Sequence, residues 1–195
     1  MITEAKFKYA LKEMMQTQQL ENINVTALCK KCGVHRQTFY YHYQDIYDLI
    51  AAIFLNEDLS ELENAKDVKG VLKALLRYVF TNFSFLCSTY NSAARDLTDD
   101  FIFGKLNAKL LYLWNKDKAI GLKIEGVRSL SRRFAHFVSD EYGHCFRDPQ
   151  LTPESFQAKM SKFNSRAIEM ILPPLIELSG KEDRSKIVIV PDQNL

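Results

Sequence analysis

Glycine and proline are scarce in this chain, 7 and 5 of its 195 residues. Together with the lack of β-branched runs, that scarcity argues against strand-and-turn architectures and for long helices. No stretch approaches 18 consecutive apolar residues, so no membrane span is expected. The opening MITEAKFKYA is amphipathic and carries Glu4, which does not suit a signal peptide, and a cytoplasmic location is expected. In a chain expected in the cytoplasm, the four cysteines are expected as reduced thiols. There is no Gly-rich phosphate loop, no Ser/His/Asp spacing, no low-complexity segment and no internal repeat. An enzyme therefore has no constellation behind it, and no cofactor is implied. Charge of one sign is also missing: 26 Lys and Arg face 24 Asp and Glu, a net charge of +2. A basic surface that would by itself announce a nucleic-acid partner is absent, and the question passes to local motifs.

What the chain does have is helical periodicity, with 47% hydrophobic residues and enough length to bury a real core. A first helix is expected from Thr3 as N-cap to about Gln18, with Phe7, Leu11, Met14 and Met15 as its apolar stripe. Asp45 is expected to cap a helix over 46–59 carrying Ile46, Leu49, Ile50, Ile53 and Phe54. Beyond the polar run 56–69 come further helices. One begins near Val68 and carries Val71, Leu72, Leu75, Val79 and Phe80, with a continuation through Phe83 and Leu86 left open. Another is capped by Thr98 or Asp99, and a third spans about Ile124 to Phe146. The last is opened by Thr152-Pro153 and must kink or end at Pro173-Pro174. The spacing thus predicts an all-α chain in three parts: 1–45, 46–180 with 46–59 as a linking helix, and a charged tail over 181–195. That tail either lacks fixed structure or adds a short extended segment.

The most informative stretch is Ile23–Ile50, INVTALCKKCGVHRQTFYYHYQDIYDLI. Asn24 is a good N-cap for a helix from about Val25 to Cys32. Gly33 supplies the turn if φ > 0 is required, and Val34 fills the angle from inside. A second short helix, about His35 to Tyr43, follows. Two helices joined by a glycine-containing turn form a helix-turn-helix, whose second helix enters the DNA major groove. Cys29-x-x-Cys32, with His35 three residues on, invites a metal or redox reading. Helical spacing instead places both cysteines on the face shared by Val25 and Leu28. Cys87 and Cys145 offer no second ligand pair, so no metal site is expected.

The ordered run Gly33-Val34, then His35-Arg36-Gln37-Thr38-Phe39-Tyr40-Tyr41-His42-Tyr43 with Asp45 and Tyr47-Asp48-Leu49, resembles the recognition segment of the TetR family of bacterial regulators. The fuller string is similar to the branch that includes dihydroxyacetone-kinase operon regulators. The resemblance covers about the first quarter of the chain. It implies phosphate contacts from Thr38, Tyr40 and His42, a homodimer formed by the last two long helices, and an inducer pocket in the middle of the chain. Ile46 departs from the pattern, since many members carry a phosphate-contacting lysine there; Lys30 or Lys31 could take over that role.

Read from the residues, Phe39 and Tyr43 lie four apart and point inward. Arg36, Gln37 and Tyr41 fall on the outer face, where Arg suits guanine O6/N7 and Gln suits adenine N6/N7. Asn24 and Thr26 open the preceding helix, whose N-terminus can receive a phosphate. The expected DNA-binding set is Asn24, Thr26, Arg36, Gln37, Thr38, Tyr40, Tyr41 and His42. The expected partner is double-stranded DNA, bound as a near-palindromic operator by a homodimer. Phe80, Phe83, Phe101, Trp114 and Phe137 are the candidates for lining an effector pocket, although aromatic stripes at helical spacing are also what a plain core contains. His136 and His144 read as surface or core histidines. The resulting function is a dimeric sequence-specific transcriptional regulator, a repressor released by a small-molecule effector or a protein partner. The alternative is a helical protein-interaction module that keeps the fold without operator binding.

Overall fold

The computed structural model describes residues 2–185, and all its regular elements are helical among the described residues. α1 (Ile2–Met14), α2 (Val25–Cys32) and α3 (Arg36–His42) form a small head. α1 starts at Ile2, so Thr3 lies inside the helix and not at its cap. The expected stripe is nonetheless buried: Phe7, Leu11, Met14 and Met15 all face the core. The phenyl ring of Phe7 meets Phe39 edge-on at 5.3 Å and Tyr43 at 6.2 Å, which fixes α3 against α1.

α4 (Ile46–Leu55) follows at once. Asp45 Oδ1 accepts from Asp48 N at 2.8 Å while Asp48 Oδ2 accepts from Gln44 N at 3.0 Å, so each carboxylate satisfies an orphan donor. The helix stops at Leu55, short of the expected 59, and Asn56 caps it with its N–H on Ile53 O. A short α5 (Ser60–Asn64) resumes after the break. Glu57, in that break, ties the head to the body. Its Oε1 lies 2.6 Å from Lys12 Nζ of α1, and its Oε2 accepts from Tyr78 OH at 2.9 Å. Burial, and then the Glu57 charge, push the Tyr78 hydroxyl far above the usual tyrosine range. Lys12 also donates to Asn82 Oδ1, Lys8 to Ala52 O, and Leu20 N to Ser88 Oγ.

The body comprises α6 (Val68–Thr81), α7 (Phe83–Tyr90), α8 (Arg95–Lys116), α9 (Ile124–Phe146), α10 (Pro153–Arg166) and α11 (Leu172–Ser185). The helix from Val68 does not continue through Leu86: it is broken at Asn82, which leaves α6 and α7 as separate rods. α8 starts at Arg95, so Thr98 is fully buried inside the helix and is not its cap. α9 matches its expected span and packs chiefly against α8 and α11, with Phe134, Val138 and Tyr142 all fully buried. Thr152 caps α10 with a reciprocal bond to Ser155, and Pro153 occupies the first turn as expected.

The helix does not end at Pro173-Pro174. A π-helical stretch, Ala167–Ile171, comes first, with Leu172 N–H reaching back to Ala167 O. The widened turn gives room for proline rings whose N–H groups are missing, and α11 continues to Ser185. That helix overruns the expected tail start at 181; the rest of the tail reading, 186–195, lies outside the described residues. No described helix is long and apolar enough to cross a membrane.

Asp99 sits partly buried at the start of α8. Burial raises its pKa most, opposed by Arg95, then reinforced by Asp96, opposed by Arg147 and reinforced by Asp140. A carboxyl whose folded pKa lies above its unfolded value favours folding while protonated and loses that contribution as pH rises through the folded value. Asp99→Asn should therefore melt higher than wild type at neutral pH, and the gain should vanish below the ordinary carboxylate range. Melting curves across pH 3–8 check this; a constant difference would remove Asp99 from the account.

Candidate nucleic-acid interface

The face is built by locally determined geometry. Asn24 Oδ1 accepts from Ala27 N at 2.9 Å and starts α2 as expected. Gly33 has φ 67° and ψ 34°, and its N–H reaches the carbonyls of Cys29 and Lys30, while Val34 N reaches Cys29 O at 3.0 Å. This left-handed cap turns the chain from α2 into α3. A Cβ added at Gly33 would meet nothing within 4 Å, so only the backbone conformation resists substitution. Gly33→Val should cost about 1–2 kcal/mol. An unchanged melting temperature would refute the claim.

α3 itself spans Arg36–His42, with His35 and Tyr43 as its flanking caps, one residue tighter at each end than expected. Phe39 is fully buried and Tyr43 nearly so, the inward pair foreseen from their spacing. The opposite side faces solvent: Arg36, Gln37, Tyr40 and Tyr41 are exposed, Tyr41 at 85%. Thr38 is half-buried, and Asn24 and Thr26 are exposed at the start of α2. Arg36 Nη2 donates to Tyr40 OH at 3.3 Å and its guanidinium lies over the Tyr40 ring at 5.8 Å. That i,i+4 pair orients the arginine along the helix, a coupling the spacing could have indicated. Tyr47, 42% exposed beside buried Ile46, stands on the solvent side of α4 and lies outside the expected set. The alternation of inward Ile46 and outward Tyr47 at the start of α4 was the available signal.

Three cation positions look different in three dimensions. Ile46, where the family often has lysine, is a core residue. Lys31 lies 3.2 Å from Glu13, and His42 Nδ1 lies 3.3 Å from Glu4. His42 is thus held through Nδ1 by α1, with Nε2 as its second ring nitrogen. Lys30 is exposed. Cys29 is buried and Cys32 half-buried, with Cys32 Sγ donating weakly to Lys6 O at 3.7 Å. Burial raises both thiols, the opposite of a reactive or metal-binding thiolate.

The aromatics proposed for an effector pocket pair with different rings of the core. Phe101 stacks on Phe54 at 4.6 Å, and Phe83 packs on Phe146 and Phe156. Trp114 meets Phe134 at 5.9 Å, Phe137 meets Phe163 at 5.4 Å, and Phe80 is half-buried. Both His136 and His144 are exposed, His136 stacking on Phe103.

The dihydroxyacetone kinase operon activator DhaS superposes with a TM-score of 0.58 at 21% identity, covering 91% of this chain and 97% of that one. NalD, the secondary repressor of the MexAB-OprM multidrug efflux pump in Pseudomonas aeruginosa, superposes at 0.57 and 15% identity, covering 84% and 95%. The chain has the fold of these regulators. The fatty acid degradation regulator FadR from Bacillus halodurans is similar again, with a TM-score of 0.56 at 15% identity over 84% of this chain and 93% of that one. In sequence, 87 residues are 31% identical to the HTH-type dhaKLM operon transcriptional activator DhaS of Lactococcus lactis subsp. lactis (strain IL1403). That match takes in 43% of this chain and 46% of the relative, less than half of its length. No protein-family model matches the chain.

Proposed function

We propose that this chain is a dimeric, sequence-specific DNA-binding regulator of transcription that reads its operator with α3. The carrying observation is the exposed set Arg36, Gln37, Tyr40 and Tyr41 on a helix pinned from behind by Phe39 and Tyr43. Arg36 and Gln37 supply bidentate base-reading groups. Thr38, Tyr40 and the second ring nitrogen of His42 serve the phosphates, with Asn24 and Thr26 beside them. The head, 1–45, acts as the reader and the helices from 46 to 180 as the regulatory and dimerising part. Apolar side chains left in solvent on α9, α11 and the π-helical stretch support a homodimer: Phe137 is 37% exposed, Met170 68% and Leu178 45%. Two heads one helical turn apart then call for a near-palindromic site. Occlusion of a promoter makes repression the proposed sign; the similar regulators named above include both an activator and a repressor. Release falls to a small-molecule effector or a protein partner.

Selection from a random DNA pool tests the reading. Expected is enrichment of one inverted repeat, with affinity falling as salt rises. The competing reading, an interaction module without an operator, draws on the near-neutral head. Residues 1–55 carry six Lys and Arg against five Asp and Glu, and Lys31 and His42 are already engaged by carboxylates. A pool that yields no enriched sequence would decide for it.

A further inference from the structure

At the far end of α8 a groove of about 620 Å³ opens between its last turns and the segment joining α5 to α6. Lys66, Lys109 and Lys116 line it, together with Tyr112 and Trp114. Lys109 is 9% exposed, the only buried lysine or arginine among the described residues. Its Nζ makes one hydrogen bond, to Glu63 O at the end of α5, and no ion pair among the described residues. That carbonyl satisfies one of the three ammonium donors and supplies no counter-charge. Lys66 and Lys116 likewise make no ion pair among the described residues. Lys116 donates to Tyr112 OH, and the amines of Lys116 and Lys109 lie 4.2 and 5.3 Å from the Tyr112 ring centroid.

The convergence of the three amines shows in Tyr112. Its hydroxyl is held below the usual tyrosine range first by the Lys116 hydrogen bond and charge, then by Lys109 and Lys66. Three carboxylate residues also border the groove, but two of them are turned to backbone. Asp67 Oδ1 accepts from Gly70 N at 2.7 Å and Asp117 Oδ1 from Ala119 N at 2.9 Å. Glu63 is exposed and meets Lys109 through its carbonyl. The start of α6, a 14-residue helix, adds the positive end of its dipole at Val68.

We propose that this groove binds a small polyanion, a phosphate ester or a polycarboxylate, through the amines of Lys66, Lys109 and Lys116. Its size suits a small metabolite, and the aromatic wall of Tyr112 and Trp114 suits a ligand with an organic body. The inference stands apart from the reading of α3, because no group in the groove belongs to the head.

Trp114 is the sole tryptophan of the chain and reports on the groove directly. The full-length protein is titrated with pyrophosphate and, separately, with citrate, at constant ionic strength against potassium chloride. Trp114 fluorescence and calorimetry are followed together. Saturable binding is expected for at least one anion; pyrophosphate alone identifies a phosphate site and citrate alone a carboxylate site. In the exposed pair variant Lys66→Gln/Lys116→Gln the Kd should rise at least about tenfold. Lys109→Met keeps the side-chain length without the charge and should abolish binding; its melting curve shows whether the fold survives, and the exposed pair decides if it does not. Absence of saturable heat with both anions, or an unchanged Kd in the pair variant, overturns the proposal. No DNA enters these titrations, so their failure leaves the operator reading untouched.

Discussion

A protein in which Arg36 and Tyr41 are both alanine is expected to bind the selected operator about 100-fold more weakly than wild type, since each lost base contact removes roughly 1–3 kcal/mol. Its melting temperature should stay at the wild-type value. Neither side chain supports the head: both are exposed, and Arg36 bonds and stacks with Tyr40 on its own helix. Stability and recognition are thereby separable on α3, because the inward positions Phe39 and Tyr43 carry the packing. Tyr40→Phe refines the test. It removes the hydroxyl that accepts from Arg36 but keeps the ring under the guanidinium, so affinity should fall only several-fold, on the scale of about 1 kcal/mol for one hydrogen bond. Wild-type affinity in the double variant, measured on the selected site, would mean that a different face meets DNA.

Asn164→Leu should destabilise the body by about 2–3 kcal/mol, because it strips a buried polar network while nearly preserving side-chain volume. Asn164 is 7% exposed and Tyr142 fully buried. The Asn164 Nδ2 lies 3.0 Å from Tyr142 OH and donates to Leu72 O of α6 at 3.3 Å, so one amide joins α10, α9 and α6. Leucine would leave the Tyr142 hydroxyl without this partner. The cost should shrink when Tyr142→Phe removes that hydroxyl as well, so the double variant is expected to be more stable than the sum of the two single changes implies. Chemical denaturation of the four proteins measures the coupling; strict additivity would show that the network contributes nothing as a unit.

Much of the candidate interface was legible before any coordinates because its determinants lie within a few residues of one another. The Asn24 cap, the left-handed Gly33 and the inward pair Phe39/Tyr43 follow from spacing and backbone sterics alone. So do the span of α9 and the Thr152-Pro153 start of α10. Where a local rule had two outlets, neighbours chose between them. Thr98 could cap a helix, yet it is enclosed within α8 because the helix begins a turn earlier at Arg95. Pro173-Pro174 forbids a regular α-helical ladder, but the Ala167–Ile171 π-turn absorbs the lost donors and keeps the rod going. The linking helix stops at Leu55, and Glu57 in the break is engaged by Lys12 and Tyr78, residues 45 and 21 positions away.

By itself the amino-acid sequence determined the helical class, the turn between α2 and α3, and which sides of α3 face in and out. Those properties depend on backbone conformation and on a 3.6-residue period. Only the tertiary structure decided which charges remain available. Lys31 and His42 are drawn to Glu13 and Glu4, and Ile46 is sunk in the core. Lys66, Lys109 and Lys116 meet around one groove although 50 residues of chain separate the first from the last. Electrostatic partnership acts through space over a few ångströms, and residues distant in the chain come within that range only after the helices have packed.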